Sequence, residues 1–332
     1  VSVALCLVAI EAVASLFFNR VKADDRNNAS VLSVGDEVLG WRSQANASEV
    51  DEAWLNGKLV YRARYTTNEH GRRIVPGAVS ERRERFIALF GCSMTFGTGI
   101  NDDETLAFHL ARLAPDYMPY NFACPGYGTQ HLLLTIQEPI EEEIDQKTGV
   151  GIYVYFVGHT RRLMGAAKVV GTWGASLPDM RLEDGNIVVK GPFAESRPWW
   201  VGFCRVTNKS RAIRLFRSAL PDYTKNTLEL TTRVILEARK EFQRKFPGSP
   251  FYVAIPYCWR DVHEHDQIAE FLKKNGIGVL RGDLTRDPNE PVEPLLAHAA
   301  HPSSLGNRKM AEFLVEQLNL NEPKPTPNKS SN

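Results

Sequence analysis

The feature that most constrains this chain is the uninterrupted apolar run Phe86–Phe90 (FIALF), which leads directly into a glycine-rich turn. A strand that is apolar at every position has no solvent face. It belongs inside a sheet covered on both sides, the situation of a parallel sheet flanked by helices. The same rhythm recurs downstream. Glu104–Leu113 puts Leu106, Leu110 and Leu113 on one helical face, with Asp102, Asp103 and Glu104 at the positive end of the helix dipole. A strand is expected around Tyr120–Ala123, a helix from Thr129 to Gln146 and a strand at Gly151–Val157. Thr227–Phe246 aligns Thr231, Ile235, Ala238, Phe242 and Phe246 and stops at Pro247-Gly248. Phe251–Ile255 and Gly276–Leu280 read as strands flanking a helix around Ile268–Lys274, and a last helix carries Met310, Phe313, Leu314 and Leu318. Repeated strand-helix units predict a three-layer α/β/α sandwich with a mainly parallel sheet, with functional residues at the carboxyl ends of its strands.

Composition limits the alternatives. The chain has 332 residues, 43% hydrophobic and 24% charged, which excludes wholesale disorder, collagen-like structure and a multi-span membrane protein. Lys+Arg 40 against Asp+Glu 39 leaves a net charge of +1 and no general electrostatic reason to bind nucleic acid. Cys6, Cys92, Cys124, Cys204 and Cys258 form no CxxC pair, so neither a zinc site nor a disulfide scaffold is indicated, and no ligand cluster calls for a metal or organic cofactor.

The organisation around the sheet pattern has four further parts. Residues 1–18 are apolar except for Ser2, Glu11 and Ser15, close to the roughly 18 residues a bilayer span needs, so a membrane anchor is the leading reading. A cleaved signal peptide is its rival, because Ala12-Val13-Ala14 has the small-x-small form, although Glu11 spoils that site; a buried N-terminal helix is the third reading. Arg20, Lys22 and Arg26, taken alone, weakly place the rest of the chain in the cytoplasm. Residues 19–85 form a polar N-terminal extension without a self-sufficient core, containing one strand-like run, Lys58–Tyr65. Residues 86–320 carry the sheet pattern, interrupted at about 163–223 by an insertion. The insertion offers a hairpin (Arg181–Glu183, the Asp184-Gly185 turn, Ile187–Val189), the pair Trp199-Trp200 and a basic amphipathic stretch, Arg211–Leu220. It reads as a satellite apolar cluster under a long loop; a lid that also leans on a membrane is the sharper alternative. Pocket shape is expected to come mostly from it. Residues 321–332 read as a Pro- and Ser-rich disordered tail.

Three short segments carry chemistry. Gly91-Cys92-Ser93-Met94-Thr95-Phe96-Gly97 follows the buried strand, so the Ser93 hydroxyl can stand at the top of the sheet as a nucleophile, or serve only the turn. Asn121-Phe122-Ala123-Cys124-Pro125-Gly126 follows the second strand, where the N–H of Gly126 could bind a developing oxyanion or simply belong to a tight turn. His301-Pro302-Ser303 opens the final helix, with Ser303 as N-cap, and puts His301 in a loop as a base or as a surface histidine.

Taken in order, these segments resemble the SGNH (GDSL-type) hydrolase superfamily over Phe86 to about Leu318, with the insertion unmatched. The resemblance implies a flavodoxin-like fold and a serine esterase or acyl hydrolase, with Ser93 as nucleophile, His301 as base and the N–H groups of Ser93 and Gly126 as oxyanion hole. The pattern Gly-x-Ser-x-Thr-Phe-Gly-x-Gly, then Asn-Phe and Gly-Tyr-Gly-Thr, is similar to bacterial membrane-anchored members, as are Leu39-Gly40-Trp41-Arg42 and Asn68-Glu69-His70-Gly71-Arg72. That similarity implies an extracytoplasmic hydrolase domain, against the mild vote of the basic flank.

Two departures stand out. The third family block supplies an asparagine to the oxyanion hole, but this chain reads Phe156-Val157-Gly158-His159-Thr160-Arg161-Arg162. His159 or the N–H of Gly158 is the candidate substitute, and Asn121, His159 and Arg162 are candidate site-lining residues. The family's aspartate three residues before the histidine is here His298. Either Ser93–His301 acts as a dyad or an acid comes from Asp283, Asp287, Glu290 or Glu293; Glu293 and His298 are the candidates for a third member. The expected substrate is a small-molecule or glycan-linked ester. The alternatives are an O-acyltransferase acting on a glycan and a catalytically silent SGNH-fold binding protein.

Overall fold

The computed structural model describes residues 10–13, 25–27, 32–55, 57–210, 225–257, 262–283, 295–296 and 301–321. Its strands in chain order are β1 (Asp25–Asn27), β2 (Ser33–Asp36), β3 (Gly40–Ser43), β4 (Ser48–Leu55), β5 (Lys58–Thr66), β6 (Arg85–Phe90), β7 (Tyr117–Asn121), β8 (Gly149–Val154), β9 (Pro178–Glu183), β10 (Asn186–Pro192), β11 (Phe251–Tyr257) and β12 (Gly278–Asp283). Five of them form the expected parallel sheet, in the order β12-β11-β8-β6-β7. The first strand, β6, lies between the second and the third, which is the flavodoxin-like order. The chain therefore changes direction across the sheet at β6, and the crevice this opens lies at the carboxyl end of the strand that delivers Ser93.

The apolar run that predicts the sheet explains its two covered faces. Phe86, Ala88 and Phe90 belong to one buried cluster, with Leu132, Leu133 and Ile136 of the helix Thr129–Gln137 and Ile235, Ala238 and Phe242 of the helix Lys225–Lys245. Ile87 and Leu89 belong to the other, with Leu106 and Leu110 of the helix Leu106–Leu113 and Met310 and Leu314 of the helix Ser304–Gln317. Each Leu, Ile, Phe or Met side chain among them, fully buried, contributes about 1.5–3 kcal/mol. This three-layer arrangement is the expected sandwich.

Several boundaries differ from expectation. The helix that opens at Thr129 ends at Gln137, not Gln146: Glu138 is extended ahead of Pro139, as a residue before proline prefers, and a short 3-10 turn, Ile140–Glu142, follows. The strand expected at Gly151–Val157 is Gly149–Val154, and Val157 already opens the helix Val157–Leu163. The helix expected from Glu104 begins at Leu106; Asp102–Glu104 form a 3-10 turn, and the Thr105 hydroxyl caps the helix by accepting from the Phe108 N–H.

The extension holds more strands than the one run expected at Lys58–Tyr65. β2 pairs with β3, and β4 with β1 and β5, all antiparallel. Leu32, Ala63 and Tyr65 are buried together with Phe96 and Ala123, so the extension shares a core with the loops at the carboxyl ends of β6 and β7. Two arginines fasten it. Arg72 pairs with Glu138 and Glu143 at 2.9 Å each. The buried Arg73 donates Nε to Asp102 at 2.9 Å and its remaining N–H groups to the carbonyls of Phe96, Gly97, Ile100 and Arg64.

In the insertion, β9 and β10 form the expected hairpin, with Asp184 (φ 49) and Gly185 (φ 79) both left-handed at its turn. Ala167, Val170, Leu177, Phe193, Val201 and Cys204 form the expected satellite cluster. Residues 211–220, residues 322–332 of the tail and all of residues 1–18 except 10–13 lie outside the described residues. No helix among the described residues is long and apolar enough to cross a membrane.

Candidate active site

Ser93 begins the helical turn Ser93–Phe96 at the end of β6. The chain passes so close to Thr95 at Gly91 that a Cβ there would collide with the Thr95 hydroxyl, which accounts for glycine at that position. Asn121, at the end of β7, donates to the Thr95 carbonyl at 3.0 Å and accepts from the Ala123 N–H at 3.2 Å. The turn beyond Ser93 is held from the other side by Arg73 and by Tyr65, whose hydroxyl accepts the Gly99 N–H at 2.8 Å.

His301 reaches this point from the far end of the chain. Its Nε2 lies 2.9 Å from Ser93 Oγ, a hydrogen bond between residues 208 apart in sequence. The histidine loop is fixed on both flanks. Leu296 N–H donates to the His301 carbonyl at 2.8 Å, and Ser303 caps the helix Ser304–Gln317 by accepting from the Gly306 N–H at 3.2 Å.

Gly126 stands at φ 87, the left-handed region where side chains are strained. A Cβ there would lie 2.6 Å from Trp41 Cζ2 and 3.3 Å from Trp173 Cζ3. Its N–H finds no backbone acceptor among the described residues. The N–H of Ser93, in the first turn of its helix, is likewise of the kind that lacks an intrahelical partner.

Ser93, Gly126, His301 and Arg162 all line one cavity of about 620 Å³. Arg162 donates Nη1 to the Tyr127 carbonyl at 2.6 Å and lies over the ring of Trp173, 5.5 Å from its centroid. Arg161 instead pairs with Glu264 at 3.0 Å. Asn121, Gly158 and His159 do not line the cavity. Asn121 is committed to the loop contacts above. Gly158 and His159 are drawn into a helix because β8 ends at Val154. His159 is fully buried, with Nδ1 2.8 Å from the Tyr153 hydroxyl; burial, reinforced by Arg162, holds its pKa well below the usual histidine range. Asp287, Glu290, Glu293 and His298 lie outside the described residues, as does the side chain of Asp283.

Much of the cavity wall is built by the extension: Gly40, Trp41, Ser43, Asp51, Tyr61 and Tyr65 line it, whereas Trp173 and Ser176 are the insertion's contribution. This reverses the expectation that the insertion shapes the pocket. The physical reason is position, since β3, β4 and β5 fold back over the crevice at the switch point. Trp41 is anchored there by donating Nε1 to the Pro125 carbonyl at 2.9 Å, and its ring meets that of Trp173 nearly edge-on at 6.0 Å. Its motif, Leu39-Gly40-Trp41-Arg42, is visible in the sequence; Asp51, Tyr61 and Tyr65 carry no comparable signal.

His131 ties the two parts together. Its Nδ1 accepts from the Gly128 N–H at 3.0 Å, and its Nε2 lies 3.0 Å from the Leu39 carbonyl. Burial pushes its pKa down to about 3, so the ring is neutral with its proton on Nε2. Cys92, Cys124 and Cys204 are free and buried. Among the described residues no group of His, Cys, Asp and Glu could hold a metal ion.

No protein-family model and no curated protein matches this chain. Solved structures do resemble it distantly. A lipolytic protein assigned to the G-D-S-L family from Desulfitobacterium hafniense is 14% identical, over 70% of this chain and 98% of that one, with a TM-score of 0.39. An acetyl xylan esterase from the rumen bacterium Butyrivibrio proteoclasticus is 10% identical over 84% and 73%, also with a TM-score of 0.39. A family two carbohydrate esterase from Clostridium thermocellum, solved with cellohexaose, is 12% identical over 73% and 67%, again with a TM-score of 0.39.

Proposed function

We propose that this protein is a serine ester hydrolase. The observation that carries the reading is the 2.9 Å contact between Ser93 Oγ and His301 Nε2 inside the cavity at the switch point of the sheet. A serine hydroxyl is a weak nucleophile until a base within hydrogen-bond reach can take its proton. Here the base is His301. Ser93 Oγ attacks the ester carbonyl as its proton passes to Nε2, and the negative charge develops on the carbonyl oxygen. The N–H groups of Gly126 and Ser93 receive that charge; a single donor of this kind is worth about 10²–10³ in rate. His301 then returns the proton to the leaving alcohol, and an acyl group remains on Ser93. Water enters, gives a proton to His301 as it attacks, and the carboxylic acid departs with Ser93 restored.

The cavity volume suits a small or sugar-sized ester, and the rings of Trp41 and Trp173 offer apolar faces to it. A glycan-linked ester is the substrate class we favour. Labelling with a fluorophosphonate probe tests the chemistry. Wild-type protein should be labelled and should hydrolyse short-chain acyl esters; Ser93→Ala and His301→Ala should lose both, by about 10⁴-fold or more in rate. Equal labelling of wild type and Ser93→Ala would end the hydrolase reading.

A further inference from the structure

The helix Val157–Leu163 follows β8, the strand beside β6, and among the described residues it sends one side chain to the cavity, that of Arg162. The steps assigned to Ser93 and His301 leave it without a role. Its neighbour Arg161 is taken up by Glu264, whereas Arg162 turns its guanidinium to the loop that carries Gly126. Nη1 donates to the Tyr127 carbonyl at 2.6 Å. The guanidinium carbon lies 5.2 Å from the centroid of the Phe156 ring and 5.5 Å from that of Trp173, so two aromatic faces fix its direction. Helix and loop are also in close contact, since a Cβ on Gly128 would come within 2.7 Å of Arg162 Cβ.

The consequence of this bond follows from the three peptide units of the loop. In the unit joining Pro125 to Gly126, the carbonyl accepts Trp41 Nε1 at 2.9 Å, and the Gly126 N–H finds no backbone acceptor among the described residues. In the next, the Tyr127 N–H donates to the Cys124 carbonyl at 3.2 Å. In the third, Arg162 holds the Tyr127 carbonyl while His131 Nδ1 accepts the Gly128 N–H at 3.0 Å. A planar peptide held at both its carbonyl and its N–H cannot turn. Gly126 and Gly128 leave the backbone on either side of Tyr127 free to rotate, and the bond from Arg162 between them removes that freedom.

We infer that Arg162 is a positioning residue for the oxyanion site: it fixes the Tyr127–Gly128 peptide and so aims the Gly126 N–H at the oxygen on which charge develops. The inference rests on the hydrolase reading with Gly126 as a donor. It adds the residue through which the segment after β8, which holds no asparagine, serves that donor. A group misplaced by about 1 Å costs about 10² in rate, and the cost falls on the steps in which the oxyanion forms.

Arg162→Met keeps an unbranched stem between the two rings and removes the donor. Rates are taken per Ser93 titrated with the fluorophosphonate, which takes any misfolded fraction out of the comparison. For a short-chain acyl ester, kcat should fall by about 10²-fold while KM changes by less than about threefold. A trifluoromethyl ketone, which Ser93 Oγ converts to a tetrahedral oxyanion, should bind about 10²-fold more weakly. Arg162→Lys keeps the charge and loses the planar fork, so its kcat should lie about tenfold below wild type at unchanged KM, and it carries the test alone if Arg162→Met does not fold. Arg162→Met combined with Gly126→Ala should lose little more than Gly126→Ala alone, because both act on one N–H. Losses that multiply, a KM that rises while kcat holds, or a wild-type kcat in either Arg162 variant overturns the inference, and the hydrolase reading survives each of these while Ser93→Ala is inactive. Ester hydrolysis that persists in Ser93→Ala brings down both.

Discussion

Acidification should loosen this protein through His131, and the size of the effect can be worked out. The imidazole is buried, accepts the Gly128 N–H on Nδ1 and donates Nε2–H to the Leu39 carbonyl. A second proton would have to sit on Nδ1, facing the Gly128 N–H with no acceptor between them. Burial, aided by the charge of Arg162, accordingly lowers the folded-state pKa from 6.5 to about 3. The unfolded chain thus takes up the proton first as the pH falls. The stabilisation is complete above about pH 6.5, is lost progressively below it, and stops changing near the folded-state pKa. Linkage over that window gives a loss of about 2 kcal/mol at pH 5 and about 3 kcal/mol at pH 4 from this ring alone. His159, with its pKa also depressed by burial, pulls in the same direction. The assay is urea unfolding at about pH 7.5 and about pH 5 for wild type and His131→Gln, whose amide can donate and accept but does not titrate. The pH-dependent part of the unfolding free energy should be about 2 kcal/mol smaller in the variant. If both proteins lose the same stability between the two pH values, the neutral buried imidazole is not the source and the reasoning fails.

Two further outcomes are expected. Gly126→Ala puts a Cβ 2.6 Å from Trp41 Cζ2 at a φ of 87, so the loop must shift. Its kcat should fall by about 10²–10³ with little change in KM, because the donor is used only as charge develops; an unaltered kcat would remove Gly126 from the oxyanion site. Arg73→Leu leaves Asp102 without its buried partner and four carbonyls without their donor. Chemical denaturation should show a loss of about 3–5 kcal/mol, and a loss under about 1 kcal/mol would refute the account of Arg73 as the clamp on the nucleophile turn.

What the sequence makes legible here is set by range. Phe86–Phe90 announces a doubly covered strand because every residue is apolar, and the residues after it announce a turn by composition; Ser93 and Gly126 stand out as candidates because each follows a strand, and His301 because it opens the final helix. The early end of the helix at Gln137 is also written locally, in Pro139, and a stricter reading of that proline would have placed it. The wall of the cavity is another matter. Trp41 is held by Pro125, 84 positions away, and His131 by Leu39, 92 positions away. No local period encodes either contact. Asp51 sits in β4 beside other acidic residues, and only the fold shows that its side chain turns inward while Glu49 faces solvent. His159 fails as a lining residue for a similar reason: one helical turn started early is enough to bury it.

The distance in sequence between Ser93 and His301 also orders events in time. The chain emerges from the ribosome amino end first, at about 5–20 residues per second, so the 208 positions that separate the two side chains correspond to about 10–40 s of synthesis. Throughout that interval Ser93, its glycine turn and the covering hairpins are present, but His301, the proposed base, is not. A chain released early, or halted anywhere before the last helix, holds a serine no more reactive than any other alcohol. On the proposed mechanism, esterolysis then switches on in a single step, when the final helix docks against the helix Leu106–Leu113 and brings the imidazole with it.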